Sequence, residues 1–221
     1  MIEIKKILYN LKENKNIFFL LLTVIGIKIF FVNYNELNNN SYLYLLGEDY
    51  SKYITMFDFT YNALINFILL FISMRIFNSG LKQNPEFVFL RESKFKYALN
   101  QFKNIFLVKG IIITILSGII FIFVQHANVN IIDIIKVILF KSVLDMILIT
   151  MNIIIGELYF IPYIILYNIP IYLTMFNIRK YFECFFADGY NIFNLLLVFL
   201  VAVFLLSKIA SMGIIKYINR K

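Results

Sequence analysis

Six mostly apolar stretches run through this chain, at about 17–33, 57–79, 105–124, 131–156, 158–178 and 190–212. About 20 such residues in a helix, rising 1.5 Å each, cover the ~30 Å hydrocarbon core of a bilayer. Lipid offers the backbone no hydrogen-bond partner, so each stretch is expected to be a helix. The alternative, a soluble core, fails on composition. The chain has 221 residues, of which 61% are hydrophobic and 15% charged, against about 45–50% apolar in a soluble domain. A chain this short cannot enclose that much apolar surface within itself. The expectation is an all-α integral membrane protein: one transmembrane domain over 1–221 with six spans and no soluble domain attached.

The basic residues set its orientation. With six spans both termini lie on one side. Placing them inside puts 15 Lys and Arg in the inner segments 1–16, 75–109 and 208–221. Only Lys52, Arg179 and Lys180 fall outside, while Lys28, Lys136 and Lys141 fall within spans. This bias favours cytoplasmic termini. The net charge of +8 then reflects topology, and nucleic acid is not an expected partner. Spans four and five are separated only by Ile155–Leu158, with Gly156 and Glu157 as the turn. The richness in Ile, Asn, Lys, Phe and Tyr is what AT-rich codons produce, so the expected location is the plasma membrane of a low-GC bacterium. The apolar run after the basic N-terminus, Ile17 to Val32, has the length of a span and no small-residue cleavage site after it, so it is read as a retained helix.

Catalytic signatures are missing. The sequence has no Gly-rich phosphate loop ending in Lys-Ser or Lys-Thr, and no His-Glu-x-x-His. One histidine, His126, and one cysteine, Cys184, build neither a zinc site nor a disulfide. The Asp-Gly at Asp188 lacks the further aspartates a phosphatidyl transferase would use. No enzyme, cofactor or metal is expected of this chain.

Several segments carry more than hydropathy. Near the start, Ile4, Ile7, Leu8 and Leu11 share a helical face away from most of the lysines, which fits an amphipathic helix lying on the inner membrane surface. Tyrosines crowd the first outer loop, about 34–56, and suit the headgroup layer. Span four contains Lys141, Asp145 and Asn152, which fall within about 40° of one another on a helix. Charges at mid-bilayer cost ~2.5–3.5 kcal/mol each on insertion scales, so this cluster must face protein or a wet cavity. It is either an ion pair that orients the span or part of a substrate path. Lys28 and Asp58, both near the outer face, are expected to pair. Span five carries Pro162 and Pro170, and Arg179 to Tyr190 reads as a short re-entrant element before span six.

The stretch RESKFKYALNQFKNIFLVKG, from Arg91 to Gly110, is the most basic run in the chain. Phe95, Leu99, Phe102 and Phe106 recur at helical spacing, widened by Ala98 and Ile105, while Lys96, Asn100, Lys103 and Asn104 lie mostly off that stripe. The loop from Gly80 to Asn104 is far longer than a turn requires, which invites a function beyond anchoring.

Taken together, the amphipathic start, six spans, a re-entrant piece before the last span and the segment Phe87 to Gly110 resemble the small permease subunits of type-2 ABC exporters. That group handles bacteriocin, lantibiotic and other peptide export or immunity. The resemblance implies that Arg91, Glu92, Ser93, Lys94 and Phe95 begin a coupling helix that docks in a groove of a separate cytoplasmic ATPase. It also implies a dimer with a second copy or a sister permease, with ATP bound by the partner and no cofactor in this chain. Two other six-span readings stay open: a substrate-capture subunit of a vitamin-uptake transporter, and a stand-alone immunity or scaffolding membrane protein.

Overall fold

The computed structural model describes residues 12, 14–34, 56–79, 81, 88–90, 92–123, 131–155 and 192–218. They form five long helices: α1 (Lys15–Tyr34), α2 (Met56–Asn78), α3 (Lys94–Phe123), α4 (Ile131–Ile155) and α5 (Ile192–Ile218). The described part of the chain contains no strand. Three segments, Lys94–Phe123, Ile134–Ile155 and Phe193–Ile215, are helices long and apolar enough to cross a membrane. The described part of the chain is thus all-helical, with helices fit for a bilayer. The span expected at 158–178, the re-entrant element and the amphipathic N-terminal helix lie outside the described residues.

Direction follows from the residues that meet. Lys28, near the end of α1, sits over the ring of Tyr61, near the start of α2, so these helices are antiparallel. Phe77 at the end of α2 packs on Tyr97 and Phe102 at the start of α3. Lys109, in the middle of α3, reaches the main chain of α4 at Lys141, and Phe95 and Phe106 of α3 meet Phe204 and Phe199 of α5. As α3 ascends from 95 to 106, α5 descends from 204 to 199, so this pair is antiparallel too. Gly213 and Ile153, each near the C-terminus of its own helix, touch where α5 crosses α4. Helices α4 and α5 therefore run parallel, side by side.

Burial differs sharply among these helices. Over the apolar window of α4, 56% of residues are buried in the bundle, against 44% for α3 and 22% for α5. α4 is the embedded helix, enclosed on several sides from Lys136 to Ile153. α5 presents a narrow buried stripe, Leu195, Phe199, Ser207, Ala210 and Ile214, and exposes Phe193, Leu197, Leu200, Phe204 and Met212. A helix apolar all round with one buried stripe suits an outer position against lipid. Most helical hydroxyls are satisfied locally: Thr23, Thr114, Ser117, Thr150 and Ser207 each donate to the carbonyl four residues back. That bond needs no partner helix, so such residues are tolerated in apolar spans.

The amphipathic segment before Ile105 is expected to run directly into the third apolar stretch, 105–124. The structure has one unbroken helix of 30 residues from Lys94 to Phe123. Hydropathy changes near Ile105, but nothing breaks the backbone ladder there: neither proline nor a capping group intervenes. The buried stripe of α3 runs Ala98, Phe102, Ile105, Lys109, Ile112, Leu116 and Ile120, at steps of three and four. The basic segment is the lower third of a pillar that touches all four other helices.

A buried ion-pair cluster as candidate functional site

Three helices bring polar side chains to the middle of the bundle. α4 supplies Lys141 and Asp145, one turn apart; α3 supplies Lys109; α2 supplies Asn66 and Ser73. All five are 2% exposed or less. The Asp145 carboxylate is ion-paired with the Lys109 ammonium and accepts a hydrogen bond from the Ser73 hydroxyl. Lys109 also donates to the carbonyl oxygen of Lys141 at 2.8 Å. Lys141 in turn donates to Oδ1 of Asn66. Each polar group is thereby compensated across a helix boundary, which is the condition for burying charge at all.

This arrangement sharpens what the sequence suggests. Lys141 and Asp145 do share a face of α4 and do belong to one cluster. The acid, however, is bonded to Lys109, a residue counted with the basic inner segment 75–109 although the apolar stretch 105–124 also contains it. Lys109 therefore leaves the inner charge tally and joins the buried lysines. A signal was available: Lys109 is seven residues after Phe102 and lies on the same stripe as Ala98, Phe102 and Ile105. Asn66 and Ser73 were missed because a lone polar residue in an apolar helix has no periodicity to betray its partner.

Asn152, the third member of the expected cluster, is buried on the same face but two turns below Asp145. Its Oδ1 has no hydrogen-bond donor among the described residues, and neither has the hydroxyl of Ser142. Asn152 is thus near the cluster in angle and separate from it in height. Lys28 is also buried, with its ammonium 4.2 Å from the centre of the Tyr61 ring, a cation–π contact in a desolvated setting. The side chain of Asp58, its expected partner, lies outside the described residues.

Of the five residues expected at a docking surface, Glu92, Ser93, Lys94 and Phe95 fall at the lower end of α3. Arg91 lies outside the described residues. Glu92 is half-buried and accepts a hydrogen bond from Nδ2 of Asn100 at 2.8 Å. Ser93 caps the helix: its Oγ accepts from the Lys96 amide at 3.3 Å, and its carbonyl accepts from the Tyr97 amide at 2.9 Å. Lys94 is the first helical residue and half-buried. Phe95 is half-buried and packs edge-on against the exposed Phe204 of α5, with ring centres 5.4 Å apart. The surface at this end is made by Leu90, Ser93, Lys96 and Lys103, all exposed. Inside it, Tyr97 donates its hydroxyl to the carbonyl of Phe77 at 2.6 Å and is flanked edge-on by Phe77 and Phe89. The lower end of α3 is therefore a packed, capped structure with a basic outer side.

These features define the class of the molecule: an all-helical bundle with bilayer-length apolar helices and a buried charged cluster at its centre. No protein-family model, no curated protein and no solved structure matches the chain.

Proposed function

We propose that this chain is the permease subunit of an ATP-binding-cassette transporter, a multi-pass cell-membrane protein that exports or expels a peptide or amphiphile. The reading rests on α3. A basic, exposed helix start is continuous with a pillar that reaches the buried cluster in the bundle centre. A separate cytoplasmic ATPase, closing on ATP, would push the lower end of α3 and so move the bundle. A contact of this kind is needed because the sequence has no nucleotide-binding loop of its own.

Charge and topology support the same orientation. Exposed Lys12, Lys15, Lys96, Lys103 and Lys208 lie toward one end of the bundle, which is then the cytoplasmic one. The parallel run of α4 and α5 supports six spans, because a chain that finishes α4 at one end must begin α5 at the other. The permease would work as a dimer with itself or a sister subunit.

The test is co-purification. In the triple variant Arg91→Glu/Lys94→Glu/Lys96→Glu, an ATP-binding-cassette ATPase that copurifies with the parent should be retained about tenfold less, while membrane insertion is unchanged. Undiminished ATPase retention with transport intact would remove the docking role. A parent protein that purifies with no ATPase would favour a stand-alone immunity or scaffolding protein.

A further inference from the structure

We propose that Lys208 and Lys96 hold the phosphate of an anionic phospholipid in the groove between the lower parts of α5 and α3. The decisive residue is Lys208. It is exposed and lies inside the apolar, membrane-length helix Phe193–Ile215. At 100° per residue, Leu197, Val201, Phe204, Met212 and Ile215 fall within about 40° of it, and each of them is exposed. One ammonium therefore stands in the centre of an outward face that is apolar above and below it. A charge so placed in a bilayer needs an anion within reach. The Lys208 and Lys96 ammonium groups meet no acceptor among the described residues. No carboxylate among the described side chains is exposed: Asp145 is enclosed in the central cluster, and Glu92 is half-buried and held by Asn100.

Depth selects the anion. Lys208 lies about 22 Å below Phe193 at 1.5 Å rise per residue, in a hydrocarbon core of ~30 Å, so its backbone is ~8 Å above the lower boundary. A lysine stem lying along apolar surface carries the ammonium most of that way, to the phosphate layer. α3 supplies the second donor. Phe95 meets Phe204 edge-on; Lys96 follows Phe95, and Lys208 comes one turn after Phe204, so the two lysines flank one contact. Both helices bury a side against α4, so their outer sides face the same way. The half-buried Phe95 and Leu99 floor the groove between them, and an acyl chain would run up over Phe204, Val201 and Leu197. A second copy of the chain is a poorer occupant. An isologous dimer centred on this face would set Lys208 against its own copy, a like-charge contact in an apolar setting. The site needs only immersion in a bilayer, so it stands or falls separately from the ATPase reading. Its test turns on Lys208, which the docking variant leaves untouched.

The experiment is native mass spectrometry of the full chain, purified in detergent with no partner and titrated with dioleoyl-phosphatidylglycerol or dioleoyl-phosphatidylcholine. The parent should bind its first phosphatidylglycerol at about tenfold lower concentration than its first phosphatidylcholine. Lys208→Met should cut that preference to about threefold, and Lys96→Met/Lys208→Met should abolish it. Lys208→Arg keeps a long cationic side chain and should keep the preference. Lys15→Met removes an exposed lysine of α1 outside the groove and should leave the preference unchanged. Equal binding of the two lipids by the parent would overturn the site, as would a full preference in Lys208→Met. So would an equal loss in Lys15→Met, since that would report net charge alone. A parent dimer that Lys208→Met dissociates, with the lipid preference intact, would assign the face to a second copy and overturn the lipid site as well.

Discussion

The crossing of α4 with α5 and the crossing of α3 with α4 are built on opposite principles. The first is held by shape. Gly213 lets two backbones approach until Ile153 fills the space, and the contact is non-directional and short-ranged. The second is held by charge and hydrogen bonds at its centre, beside the ordinary contact of Gly110 with Ile138. A shape-held crossing fails by degrees as atoms are added or removed. A charge-held crossing fails at once when either partner is lost, because the survivor is left buried and uncompensated.

The largest effect should come from Asp145→Ala. It strands the Lys109 ammonium, and about 3–5 kcal/mol of stability should go, read as a loss of folded protein in a thermal unfolding series in detergent. A loss under about 1 kcal/mol would mean the cluster is hydrated and the comparison is misdrawn. Next comes Gly213→Ala. The added methyl meets Ile153, and the cost should be about 1–3 kcal/mol, with partial recovery in Gly213→Ala/Ile153→Ala. Simple additivity of the two variants would break the claim that they share one contact. Tyr97→Phe should cost least, about 0.5–1.5 kcal/mol, for the hydroxyl bond to the Phe77 carbonyl. It sharpens the contrast because a single neutral hydrogen bond between α2 and α3 should matter far less than the paired charges above it.

Hydropathy and periodicity carried much of this organisation on their own. The apolar stretches at 17–33, 57–79, 131–156 and 190–212 fall on the helices α1, α2, α4 and α5, and the shared face of Lys141 and Asp145 was legible because 3.6-residue geometry does not depend on context. Helix α3 starts below the apolar stretch 105–124 for a physical reason. Hydropathy marks where lipid begins, whereas the helix continues as long as its hydrogen bonds do, down to the Ser93 cap. Partner choice was not legible. Three lysines in or beside spans three and four could each have met Asp145, and the selection of Lys109 depends on how α3 is rotated against α4. Phe95 illustrates the same limit. Its place on an amphipathic stripe suggested an outward docking role by resemblance, while its actual neighbour, Phe204, is more than a hundred residues away.

The parallel placement of α4 and α5 has a consequence for the order in which the protein is made. Lys109, Asn66 and Ser73 all precede Asp145 in the chain, so when α4 emerges its charged residues meet partners already synthesised. The Ile153–Gly213 contact has to wait for a further 60 residues, some seconds at about 5–20 residues per second. The polar centre can therefore assemble with the fourth helix, and the close-packed crossing is the last seam to shut. A ribosome stalled between those two points would carry a nascent chain whose charges are already matched and whose final helix is still to come.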